Sequence, residues 1–118
     1  MRDEFDAKWI ALRTRFVGRL SERMADIELL GTDCASVDPR DALKTLFHIV
    51  HSLAGSAATF GFEELASVAR EAETSIESAM MNAPPLASAT AAHMADTLRQ
   101  LTGVAATVVA ASSRGGRP

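Results

Sequence analysis

The sequence predicts an all-α chain folded as an antiparallel four-helix bundle. Twenty-two of its 118 residues are alanine, none is tyrosine, and β-branched residues rarely cluster, which favours helix over strand. Large apolar residues recur in steps of three and four along four stretches. Glycine and proline separate those stretches by short connections, which suits helices folding back on one another. A stricter count gives five helices, with a short extra N-terminal helix where the first is split near its start.

The first helix carries Phe5, Trp9, Leu12, Phe16, Leu20, Met24 and Ile27 on one expected inward face, while Arg13, Arg15, Arg19, Glu22 and Arg23 lie mostly off it. Gly31 stands where a C-terminal stop belongs, and 32–37 reads as a loop. Asp38 and Pro39 open the second helix as cap and first turn, with Asp41 at the positive end of its dipole. Its inward stripe is Leu43, Leu46, Val50, Leu53 and Ala57, ending near Gly61. The third helix starts at about Glu63, turns Leu65, Val68, Ala69, Ala72, Ile76 and Met80 inward, and breaks at Asn82-Ala83-Pro84-Pro85. The fourth covers about Leu86 to Ala110, with Met94, Leu98, Leu101, Val104 and Val108 inward. The bundle is expected over 1–111, and 112–118 as a flexible polar tail that frays.

Composition narrows the function. A chain of 12.5 kDa is one domain, able to bury a core without metal or disulfide staples. Apolar residues make 47% and charged residues 23%, a globular balance; the net charge of −3 speaks against a nucleic-acid partner. No apolar run reaches the length of a membrane span, and Arg2, Asp3 and Glu4 do not begin a secretory signal. Cys34, the only cysteine, excludes an internal disulfide and fits a reducing compartment, so the cytoplasm is the expected location. The start methionine and the tail read as a standalone, monomeric protein. The five methionines read as core filler, and Cys34 falls in a loop with no reactive setting to argue.

The second helix holds the candidate site. At about 100° per residue, Lys44, His48, His51, Gly55 and Ala58 share a narrow sector away from the inward stripe. His51 is therefore mid-helix and exposed. Gly55, one turn on, weakens the helix by about 1 kcal/mol against alanine and has no packing reason in the chain, so it clears space for an approaching body. A neutral imidazole nitrogen is a good nucleophile near pH 7 and can accept a phosphoryl group from an in-line donor, with a partner protein bringing the metal and carboxylates. His48, at i−3, offers a two-histidine half-site without a third ligand, so no metal is expected. No Gly-rich phosphate loop is present, and no cofactor is expected. His93 reads as structural or exposed. Phe47 and Ala54 flank the histidine sector; for Phe47, core packing and a partly exposed docking rim stay equally open.

The stretch His51-Ser52-Leu53-Ala54-Gly55-Ser56-Ala57-Ala58-Thr59-Phe60-Gly61-Phe62 resembles the signature of histidine-containing phosphotransfer (HPt) domains, His-x-Leu-Lys-Gly followed by small residues and a further glycine. The likeness continues through Glu64-Leu65, Ala69-Arg70 and Glu73, and Thr59 to Phe62 is close to the phosphoacceptor domain of chemotaxis-type kinases. The resemblance implies a helical bundle that carries phosphoryl groups without an ATP site of its own, so a carrier rather than an enzyme. Its implied partners are response-regulator receiver domains and hybrid histidine kinases. It implies that His51 is the phosphoacceptor, Gly55 the clearance glycine and Glu73 the acid that orients the imidazole. The family lysine is Ala54 here. Lys44, His48 or Arg70 could supply the missing charge, or the receiver could, or the domain docks without reacting. That last reading makes the chain an HPt-like adaptor, regulating a kinase or receiver by occupancy; His51 and Gly55 favour the carrier. A cofactor-holding bundle would need inward ligands, and His51 is expected to face out.

Overall fold

The computed structural model describes residues 2–33, 39–82 and 87–115. They form five helices in chain order: α1 (Arg2–Gly18), α2 (Leu20–Asp33), α3 (Arg40–Thr59), α4 (Glu63–Met80) and α5 (Ser88–Gly115), with no strand among the described residues. The first two are the single N-terminal helix of the sequence reading, interrupted at Arg19 rather than near its start. There the Arg19 N–H is shared between the carbonyls of Arg15 and Phe16, at 3.2 and 3.1 Å. Gly18, the poorest helix former nearby, makes that local tightening cheap. No helix of the described residues is long and apolar enough to cross a membrane.

The core is assembled by α2 to α5. Leu20 and Ile27 from α2, Leu46 and Val50 from α3, Leu65 and Ile76 from α4 and Leu101 from α5 are fully buried. The whole expected stripe of α3, Leu43 to Ala57, is buried. Both α3 and α4 bury alanine, Ala54 and Ala57 on the first and Ala66, Ala69, Ala72 and Ala79 on the second. Methyl-sized side chains let two helix axes approach closely, which brings polar groups at the seam's outer edge within hydrogen-bonding reach. Between α4 and α5 lies a buried hydroxyl pair. Ser75 Oγ and Thr97 Oγ1 are 2.6 Å apart, and each also lies 2.9 Å from a main-chain oxygen of its own helix, Ala72 and Met94 respectively.

Several expectations need correction. Phe5, Trp9 and Leu12 do not face a core: Phe5 is 67% exposed and the other two lie at the surface. A 20-residue α3 spans about 30 Å, whereas α1 and α2 together are longer, so the start of α1 overhangs the end of the bundle. Below Trp9, α1 is instead pinned by aromatic contacts. Phe16 lies 5.5 Å from Phe60 and 5.8 Å from Phe62, and Trp9 lies 6.0 Å from Phe60. The Arg13 guanidinium sits 4.2 Å over the Phe62 ring, and its Nε–H donates to the Phe60 carbonyl at 3.1 Å.

Met80 and Met81 are exposed, so only Met24 and Met94 of the described methionines fill core space. Val68, Val104 and Val108 are half-buried against the core rather than within it. Helix α2 runs past Gly31 to Asp33, and α5 continues beyond Ala110 to Gly115. Pro39 precedes the first residue of α3 as its cap position, without a side-chain cap. Cys34, Asp38 and Leu86 lie outside the described residues.

Candidate phosphoacceptor site

Helix α3 holds His51 at its middle, on the face away from Leu46, Val50 and Leu53. The imidazole is 66% exposed. Its Nδ1 lies 3.1 Å from Glu73 Oε2 of α4, whose side chain is 23% exposed. Ala54 helps make this contact possible, since a bulkier residue there would crowd the space between His51 and Glu73. An ionised carboxylate only accepts hydrogen bonds. Pairing with Glu73 thus favours the tautomer with the proton on Nδ1, leaving the Nε2 lone pair turned outward.

Phe47, one turn before His51, fixes the ring plane. The two rings stack at 5.8 Å and 12°, and the phenyl is half-buried against the core. Of the two readings left open for it, Phe47 shows the core packing, and it also stacks on the imidazole, a contact that neither reading included. The i, i+4 spacing was the available signal.

Beside the imidazole, a shallow depression of about 440 Å³ is lined by His51, Ala54, Gly55, Arg70, Glu73 and Thr74. A Cβ built on Gly55 meets nothing within 4 Å, so the glycine is not required by packing within the chain. Arg70 is exposed and forms the cationic wall of the depression. Thr74 was not anticipated. It follows Glu73 on α4, and its hydroxyl donates to the Arg70 carbonyl at 3.1 Å; its i+4 spacing from Arg70 would have pointed to it.

Not every expected neighbour arrives here. Ala54 does, but only 4% exposed, since it faces α4 and lines the depression from beneath. Lys44 lines a different hollow with Pro39, Leu43 and Met80. His48 is exposed and meets Phe47 edge-on at 5.9 Å, without lining the depression. Ala58 is exposed on α3 and also outside it, and His93 is exposed on α5. Among the described residues no three His, Cys, Asp or Glu side chains converge as metal ligands.

The site therefore offers an outward nucleophilic nitrogen on a rigid helix, an acid behind it, a cation beside it and open space above. Residues 11–107 match the family model of the Hpt domain. No curated protein and no solved structure matches the chain.

Proposed function

The chain belongs to the Hpt domain family, histidine phosphotransfer modules of two-component signalling, and from that premise we propose that it carries a phosphoryl group on Nε2 of His51. The observation that carries this reading is the 3.1 Å contact from His51 Nδ1 to Glu73. In the proposed step Nε2 attacks the phosphorus of a receiver's aspartyl phosphate in line. The N–P bond forms as the P–O bond to the aspartate breaks, and the aspartate leaves as a free carboxylate. The proton on Nδ1 stays hydrogen-bonded to Glu73, which stabilises the positive charge that the ring acquires. The reverse sequence returns the group to a receiver. Most of the catalysis in such a transfer is positioning and charge stabilisation, and the receiver brings the metal.

Arg70 takes the place left by the family lysine. Its guanidinium borders the depression over which the phosphoryl group would stand, and a planar fork of donors matches phosphoryl oxygens. Ala54 supports a second reading, an adaptor that docks without reacting.

Phosphoramidate, a small-molecule phosphodonor, separates the two. The wild-type chain should gain one acid-labile phosphoryl group by mass, and His51→Gln should gain none while keeping its helical circular-dichroism signal. A substitution at so exposed a position shifts stability by under about 0.5 kcal/mol. Label on His48 in the variant would reject the site assignment. A wild-type chain that takes no label from phosphoramidate or from any phosphorylated receiver would leave the adaptor.

A further inference from the structure

A second charged feature lies on the other flank of α3 from Arg70. Arg15, Arg19 and Arg23 follow one another at intervals of four along α1 and α2 and border a groove of about 270 Å³. Phe16, Leu20, Leu53 and Phe60 line it on the apolar side, and the hydroxyl-bearing residues Ser52 and Ser56 of α3 complete it. The backbone bonds Arg19 N–H to Arg15 O and Arg23 N–H to Arg19 O keep the three side chains in one helical row despite the interruption.

Among the described residues, none of the three guanidiniums has a carboxylate within ion-pairing distance, and no acidic residue lines the groove. Like charges at i, i+4 oppose helix formation. The chain as a whole is acidic, with a net charge of −3. A cationic row without an ion pair among the described residues, beside the exposed Leu12 and the half-buried Phe16 and Phe60, calls for a negative partner from outside.

The groove shares a helix with the phosphoacceptor. Ser52 is the residue after His51, and Ser56 follows Gly55, the open position above which an approaching body must pass. A body seated over Gly55 to reach His51 therefore overlies one edge of the arginine groove. The body that seats over Gly55 is the one placed to meet this row, and three guanidiniums without ion pairs select one whose contacting flank is acidic.

We propose that Arg15, Arg19 and Arg23 form a docking surface for the acidic flank of the receiver domain that exchanges phosphoryl groups with His51. The proposal rests on the carrier reading for the identity of its partner. Opposite charges set at the edge of the contact raise the encounter rate, fix orientation and reject receivers with a basic flank.

The test is titration calorimetry of the full chain against the receiver domains of the source organism, at about 50 and about 300 mM salt. Three forms are compared: wild type, the triple Arg15→Glu/Arg19→Glu/Arg23→Glu, and the milder triple to Gln. Circular dichroism checks the fold of each. At least one receiver should bind wild type, and more weakly at high salt. The Glu triple should bind it about tenfold or more weaker, the Gln triple less so, both with a flattened salt dependence. Equal binding by wild type and both triples overturns the proposal, as does a wild type that binds no receiver. Self-association of wild type, abolished in the triples, would assign the groove to a second copy and also overturn it. Phosphoramidate labelling is read separately. Loss of label with arginine-dependent binding intact would fail the carrier reading alone; normal label with arginine-independent binding would fail the docking surface alone.

Discussion

The two ends of this molecule are built on opposite terms. In the α3–α4 half, fully buried Leu46, Val50, Ala57, Leu65, Ala69, Ala72 and Ile76 close a dry seam, and its outer edge holds His51 against Glu73. In α1, the apolar side chains of Phe5, Ile10 and Leu12 stand mostly in solvent, and attachment comes from the buried Val17 and from Trp9, Arg13 and Phe16 against the rings of Phe60 and Phe62. Both segments carry helical apolar periodicity. What differs is whether anything lies opposite. A stripe becomes a core only where a second helix reaches it.

Removing side chains from each end should separate the two terms sharply. Leu46→Ala should cost about 3 kcal/mol, the range for a fully buried leucine whose cavity cannot collapse, and lower the denaturant midpoint without changing the slope. Arg13→Ala should cost about 1–2 kcal/mol. It removes a stacked cation and the donor to the Phe60 carbonyl, and hydrogen exchange should rise in α1 before it rises in α3. Gly55→Leu should instead stabilise by about 0.5–1 kcal/mol, since the helix gains propensity and the added Cβ meets nothing. The same variant should lose receiver binding and transfer; normal transfer would remove the clearance role of Gly55. Phe5→Ser should shift stability by under about 0.5 kcal/mol, and a larger loss would show that the overhanging turns of α1 pack against the bundle.

Periodicity read α3 well because every large residue on its stripe meets another helix. It misread Phe5, Trp9 and Leu12 for the same reason in reverse, since a period reports amphipathicity and says nothing of what faces it. The break at Arg19 left little trace, as one shared hydrogen bond needs no special residue beyond a neighbouring glycine. At the site, His51, Gly55, Arg70 and Glu73 were legible, the last through spacing in a family motif rather than through chemistry. Ala54 lies on the flank of the histidine sector as expected, and its burial, which the sequence did not show, follows from how closely α4 approaches. Thr74 was missed although its i, i+4 spacing from Arg70 lies within one helix, and the same spacing pairs Phe47 with His51, a stacking that neither reading of Phe47 considered.

The hydroxyl pair between α4 and α5 has a consequence for how that seam is joined. Ser75 and Thr97 have one hydroxyl proton each, yet the four oxygens Ala72 O, Ser75 Oγ, Thr97 Oγ1 and Met94 O make three contacts within bonding distance. Two protons cannot fully serve three bonds. Either Ser75 gives its proton to Thr97 while Thr97 serves Met94, or Thr97 gives its proton to Ser75 while Ser75 serves Ala72. The carbonyl released in each case belongs to a helix and retains its main-chain donor, so neither arrangement leaves a polar atom stranded. The join between these helices is therefore reversible in polarity. The direction in which its protons point is free to alternate while the oxygen positions stay put.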